Sequence, residues 1–171
     1  MTDVERALIT VNGLLHAGQT SIDDIAAAAG DTRYWPDSLT THIVIRLANG
    51  RSESAAESRF SSLCYAQHLP RPEPQVEVRD ETGHVFARVD FAWPELMAFV
   101  EIDGSLKYRV HRRPGETLEE YLMREKRREE KICLLTGWIC IRVTWADLER
   151  PEQLAARIRR LLASRASSSP A

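Results

Sequence analysis

The stretch Arg88-Val89-Asp90-Phe91-Ala92-Trp93-Pro94-Glu95-Leu96-Met97-Ala98-Phe99-Val100-Glu101-Ile102-Asp103-Gly104 decides the fold. It reads as two strands joined at a proline. Side chains alternate across a strand, so Val89, Phe91 and Trp93 share one face and Arg88, Asp90 and Ala92 the other. A tight reversal at Pro94-Glu95 predicts Asp90 opposite Phe99 and diagonal to Glu101, within about 8 Å. Asp103 follows Glu101 on the same face. Like charges that close raise each other's pKa unless a cation sits among them. A divalent metal held by oxygen ligands explains the cluster economically. For any single acid the plainer account is a solvated strand residue, with Arg88 or Lys107 as its ion-pair partner. Three acids on one face tip the balance toward metal.

Toward the C-terminus, Lys107–Gly115 is basic and loop-like. A long helix is predicted over Thr117–Thr136, ended by Gly137. Leu118, Leu122, Glu125, Glu129, Ile132 and Thr136 form one stripe of it, apolar toward its ends and acidic in the middle, with Arg128 alongside. Such a charged gap predicts that the middle turns face a polar cleft or a buried ion-pair network. The competing account is a helix of surface pairs such as Lys126–Glu130. Trp138–Thr144 reads as a short apolar strand, central and buried. A last helix spans Pro151–Leu162, and Trp93, Trp138 and Trp145 read as core or sheet-packing residues.

Toward the N-terminus, Gln75–Arg79 reads as a strand and Leu69–Pro74 as extended, because its prolines exclude a helix interior. Glu57–His68 is predicted helical, and Glu57 in its first turn suits the helix dipole. Residues 1–50 are helical throughout. Val4, Leu8, Val11 and Leu15 recur at helical spacing, Ser21 and Asp24 form a capping box before a helix closed by Gly30, and Leu39, Ile43 and Leu47 face inward on a third helix. The predicted domains are therefore a helical N-terminal extension (1–50), an α/β domain of order αβββαβα with a mixed sheet (51–163), and a disordered tail (164–171).

With 171 residues, 43% hydrophobic and 28% charged, the composition is that of an ordinary globular protein with a proper core. A net charge of −2 offers no global basic field, so any nucleic-acid surface must be local. Between 107 and 131, nine basic residues face six glutamates, a weak local surplus suited to phosphate. Neither a signal peptide nor a bilayer-length apolar run is read, and no membrane partner is expected. The three cysteines lack CxxC spacing, which argues against structural zinc and disulfides and for a cytoplasmic location. The five histidines form no HxxxH or HExxH pair, and no phosphate-binding glycine loop or GxSxG elbow appears.

Taken in order, Glu57-Ser58-Arg59, Leu69-Pro70-Arg71-Pro72-Glu73-Pro74-Gln75-Val76, Arg88 to Glu95, Val100 to Gly104, Lys107-Tyr108, Glu125 to Glu129, Gly137-Trp138 and Arg142 to Leu148 resemble a known domain. It is the endonuclease-like domain related to very-short-patch-repair endonucleases, within the PD-(D/E)XK restriction-endonuclease-like superfamily. The likeness covers residues 52–162. In bacteria and phages that domain often follows an abortive-infection-type winged-helix antitoxin module. Residues 1–50 resemble the segment joining the two, and no winged helix is expected in this sequence.

The resemblance implies a Mg²⁺- or Mn²⁺-dependent DNA endonuclease with a role in phage or host defence. Asp90 matches the first acid of the signature and Glu101 the second. Glu57 matches the helix acid that completes the metal site. Asp103 stands where the signature has its lysine, as a further ligand or base, and the lysine's job is expected of Lys107 or Lys126. Arg109, Arg112, Arg113, Lys126 and Arg128 are expected to contact the DNA backbone. The alternative is a nuclease-fold regulatory or toxin–antitoxin component that binds nucleic acid, a protein partner or a second copy of the chain without efficient cleavage.

Overall fold

The computed structural model describes residues 3–31, 34, 38–103 and 112–166. Its contacts divide the chain into two units, Met1–His68 and Leu69–Ala171.

The first unit is helical: α1 (Asp3–His16), α2 (Ile22–Asp31), α3 (Ser38–Leu47) and α4 (Ala55–Ala66). Leu8, Val44 and Leu47 form its small core, with Val4, Ala7, Val11, Ile43 and Ala48 packed around them. That cluster ends at Ile43, one turn short of Leu39, which is exposed rather than inward-facing as expected. Ser21 and Asp24 form the anticipated box: each backbone N–H is accepted by the other's side chain. Buried Asn12 ties three segments together, donating to Ser58 Oγ at 2.9 Å and accepting from Asn49 N at 2.8 Å. Arg59 of α4 pairs with Glu5 of α1, both largely shielded from water. A buried pair so placed fixes helix register more than it adds stability.

The second unit contains β1 (Glu73–Arg79), β2 (Val85–Trp93), β3 (Ala98–Asp103), α5 (Leu118–Thr136), β4 (Ile139–Thr144), the short α6 (Trp145–Leu148) and α7 (Pro151–Ala166). The α/β class and the mixed sheet are as expected. The strands lie in the order β1-β2-β3-β4, antiparallel at the first two junctions and parallel at β3–β4. A parallel neighbour needs a crossover, and α5 lies within it. Two expectations about the sheet need correction. β4 is an edge strand, not a central one. Its Ile141 and Val143 are buried, so its apolar alternation reports covered faces rather than a neighbour on each side. Arg157 of α7 donates to the Arg142 carbonyl at 2.7 Å, giving that strand a side-chain partner.

The second correction is the hairpin register. The connection uses a 3₁₀ turn, Pro94–Leu96, followed by Met97 in the left-handed region (φ 50°), so pairing resumes at Trp93↔Ala98. Phe99 therefore faces Ala92 rather than Asp90. A slip of two residues keeps every side chain on its expected face.

α5 begins at a capping box of Thr117 and Glu120 and stops at Gly137 (φ 69°). Ile132 is fully buried and packs with Phe99 and Ala92, beside Cys133, Trp138 and Cys140. At the other end, Tyr121 is buried while Leu118 and Leu122 are about half exposed. The inward stripe is thus Tyr121, Glu125, Arg128, Ile132, and the expected leucines flank it. Trp93 is buried and donates to the Pro70 carbonyl at 2.9 Å, but Trp145 is about half exposed instead of core. α7 buries Leu154, Ala155, Ile158 and Leu162 and runs to Ala166, past the expected Leu162 and into the segment read as tail.

Candidate active-site face

The antiparallel ladder of β2 and β3 is paired as far as Phe91↔Val100. The pairing stops there, one residue short of Asp90 and Glu101. There the Asp90 side chain takes over from the backbone ladder: its Oδ2 accepts the Ile102 N–H at 2.7 Å. Where the strand pairing stops, the Asp90 carboxylate is thus fixed on the backbone of the residue after Glu101. Both acids are partly buried.

α5 and β4 lay arginines over the same face. Arg128 donates through NH1 and NH2 to Glu101 Oε1, both at 3.0 Å, and through NH2 to the Arg88 carbonyl at 2.9 Å. Glu125 Oε2 lies 3.7 Å from the same guanidinium, and Arg124 bonds Glu125 at 2.9 Å. Arg142, the register partner of Glu101 on β4, reaches both oxygens of Asp103 at 2.8 and 3.1 Å. Its other edge grips Glu129 Oε2 at 2.9 and 2.6 Å. Burial works against the charged form of Arg142, but the hydrogen bonds to Glu129 and Asp103 outweigh it and push its pKa upward. The charged gap in the helix stripe is therefore an arginine–carboxylate network joining α5 to β3 and β4. Both glutamates of the gap are partly shielded, with about a quarter of each side chain exposed.

At the helix's start, Glu116 takes Arg124 through both oxygens, at 2.8 and 3.1 Å. The Arg124 hydrogen bond, helped by the Arg113 N–H, holds its carboxyl down at about 2. Cys133 and Cys140 lie beneath the network. Burial, then the negative charge of Glu129, raises the pKa of both, and Glu101 adds to the effect at Cys140. Both shifts favour the protonated thiol.

Glu57 belongs to the first unit, where its carboxylate completes the cap of α4: Oε1 accepts from Ser54 Oγ at 2.7 Å and Oε2 from Glu53 N at 3.0 Å. Lys107 and Arg109 lie outside the described residues. Arg112, Arg113 and Lys126 are exposed. Arg142 was missed in the sequence because its strand reads as apolar. The available signal was its polar slot in Ile139-Cys140-Ile141-Arg142-Val143-Thr144, which the β3 register aligns with Glu101.

Among the described residues no three His, Cys, Asp or Glu side chains gather as a metal-holding group. Two carboxylates nonetheless fit Mg²⁺, which keeps several waters and takes one or two protein carboxylates together with substrate phosphates. Asp90 and Glu101 are the two carboxylates that would supply such oxygens. Asp103, clamped by Arg142, serves the arginine instead.

No described helix is long and apolar enough to cross a membrane. No family model and no solved structure matches the chain. It is 32% identical over 158 residues to the uncharacterized protein Rv2248 of Mycobacterium tuberculosis strain H37Rv, and equally to the uncharacterized protein MT2308 of strain CDC 1551. The aligned region takes in 92% of this chain but 55% of each relative, so the chain spans about half the length of the curated relatives it matches.

Proposed function

We propose that the second unit is a restriction-endonuclease-like domain of PD-(D/E)XK type that hydrolyses phosphodiester bonds in DNA with Mg²⁺ or Mn²⁺. The observation that carries this is the Asp90 carboxylate, which accepts the N–H of Ile102, the residue after Glu101, at 2.7 Å where the β2–β3 ladder ends. Asp90 and Glu101 would hold the ion. When bound, it supplies a more acidic water and neutralises charge on the phosphate. The chain's own contribution is orientation. The Ile102 N–H fixes the Asp90 carboxylate, and Arg128 fixes Glu101. Asp103 and Glu129 hold Arg142 beside them as a permanent positive charge, since a guanidinium does not lose its proton in proteins. Arg112, Arg113 and Lys126 are exposed cations suited to the strand backbone.

A second reading, a nuclease-fold component that binds nucleic acid or a protein without efficient cleavage, is favoured by one observation. The position where the signature has a lysine carries Asp103, and that acid is neutralised by Arg142. Incubating the purified protein with supercoiled plasmid separates the two. Nicked or linear product is expected with Mg²⁺ or Mn²⁺ and none with EDTA. Unchanged DNA and RNA with both metals would transfer the conclusion to the binding component.

A further inference from the structure

We propose that Gln75 is a positioning residue for Asp90, acting through a left-handed backbone conformation in the neighbouring strand, a role that rests on the reading of Asp90 as a site acid. Among the described residues, three that are not glycine have positive φ: His68 (52°), Gln75 (52°) and Met97 (50°). Two of them have an ordinary reason. His68 follows Gln67, the C-cap of α4, and Met97 caps the 3₁₀ turn of the hairpin, and a left-handed residue commonly ends a helix. Gln75 lies inside β1, where a φ of about −140° is the norm for an antiparallel strand. An L side chain crowds its own backbone in the left-handed region, and a glycine would hold that conformation without strain. The chain carries glutamine there. Strain of this kind persists where the surroundings over-determine it, and it gathers at functional sites.

The strand register fixes what stands opposite. β1 and β2 pair as Pro74↔Phe91 and Val76↔Val89, so the slot between them sets Gln75 across from Asp90. β1 is an edge strand, so within the sheet a distortion at Gln75 bears on β2 alone. On its other side Asp90 meets β3 through its carboxylate, which accepts the Ile102 N–H at 2.7 Å just past the Phe91↔Val100 pair. A strand side chain ordinarily stands roughly perpendicular to its sheet. Reaching a backbone N–H of the next strand requires Asp90 to lean along the sheet instead. A local break in regular strand geometry re-aims side chains in this way, and Gln75 places such a break directly opposite Asp90.

The test compares Gln75→Gly, Gln75→Ala and Gln75→Val with wild type in the full chain, by amide hydrogen exchange at Ile102, urea unfolding and plasmid nicking. Gln75→Gly is expected to keep the Ile102 N–H protected. It should also fold more favourably than Gln75→Ala by roughly threefold in the folding equilibrium, the strain relieved less the entropy that glycine loses. Valine favours strands but tolerates positive φ worst, so Gln75→Val should push β1 back toward regular pairing. Exchange at Ile102 should then quicken by roughly tenfold beyond any change shared by the other β3 amides, and nicking should fall with it. Gln75→Gly and Gln75→Ala, which leave the backbone in place, should nick near the wild-type rate. If Gln75→Val does not fold, the stability order of Gln75→Gly and Gln75→Ala carries the test. A Gln75→Gly no more stable than Gln75→Ala, or unchanged Ile102 exchange in folded Gln75→Val, would overturn the proposal. Loss of nicking in both Gln75→Gly and Gln75→Ala with Ile102 still protected would overturn it as well, since the carboxamide rather than the backbone would then serve the site. If wild type nicks no DNA, the nuclease reading fails, while Ile102 exchange still decides whether Gln75 holds Asp90 in place.

Discussion

Asp90→Asn is expected to lower metal-dependent DNA cleavage by roughly a thousandfold or more, because metal activation of water and phosphate neutralisation together supply several kcal/mol of transition-state stabilisation. Asparagine is a sharper probe than alanine. In the structure the Asp90 Oδ2 accepts the Ile102 N–H at 2.7 Å. Alanine would leave that N–H without its acceptor, at a cost of about 1–3 kcal/mol, and would confuse lost chemistry with lost fold. The asparagine carbonyl can still accept the bond while removing the charge that holds a metal. Plasmid nicking rates measured beside urea midpoints separate the effects. A large rate loss with a near-wild-type midpoint is expected, and an undiminished rate would remove Asp90 from the site.

The largest stability effect is expected at Phe99, where truncation to alanine should cost about 3–5 kcal/mol in urea unfolding. Phe99 is fully buried in β3, faces Ala92 and Cys140 across its two strand neighbours, and packs in one cluster with Ile132 of α5. Removing the ring opens a cavity where the sheet meets the helix that carries Arg128 and Glu129. Conversion to leucine retains most of the volume and should cost much less. A loss below about 1 kcal/mol for the alanine variant would mean that α5 is not seated on Phe99. The site follows from this packing: Glu101 is the next residue on the same face, and it meets Arg128 because Ile132 is already docked.

Much of the hairpin was legible because side-chain alternation has period two. Glu101 and Asp103 share a face for that reason: Arg142, the register partner of Glu101, reaches Asp103. The ends of α5 were legible too, since Thr117, Glu120 and Gly137 act through local backbone chemistry. The register itself was not. It depends on Met97 adopting a left-handed conformation, which nothing in a methionine side chain announces. The rotation of α5 was misread at its first turns because Leu118 and Leu122 looked like core, while buried Tyr121 continues the stripe through Glu125 and Arg128. Helix periodicity cannot tell two adjacent stripes apart when both hold apolar residues.

The edge position of β4 and the role of Arg142 were hidden for a shared reason. Both depend on which strand β4 pairs with, a long-range fact absent from the local pattern of Ile139–Thr144. Glu57 shows the opposite case. Its place in the first turn of a helix already suggested a role at the helix end, and the cap formed with Ser54 and Glu53 fulfils it.

The most direct test of a metal-dependent site on this face is a crystal soaked in Mn²⁺ and measured for anomalous scattering. The expected result is a Mn²⁺ peak within coordination distance of Asp90 and Glu101. A peak elsewhere, or no ion on this face at saturating Mn²⁺, would contradict it.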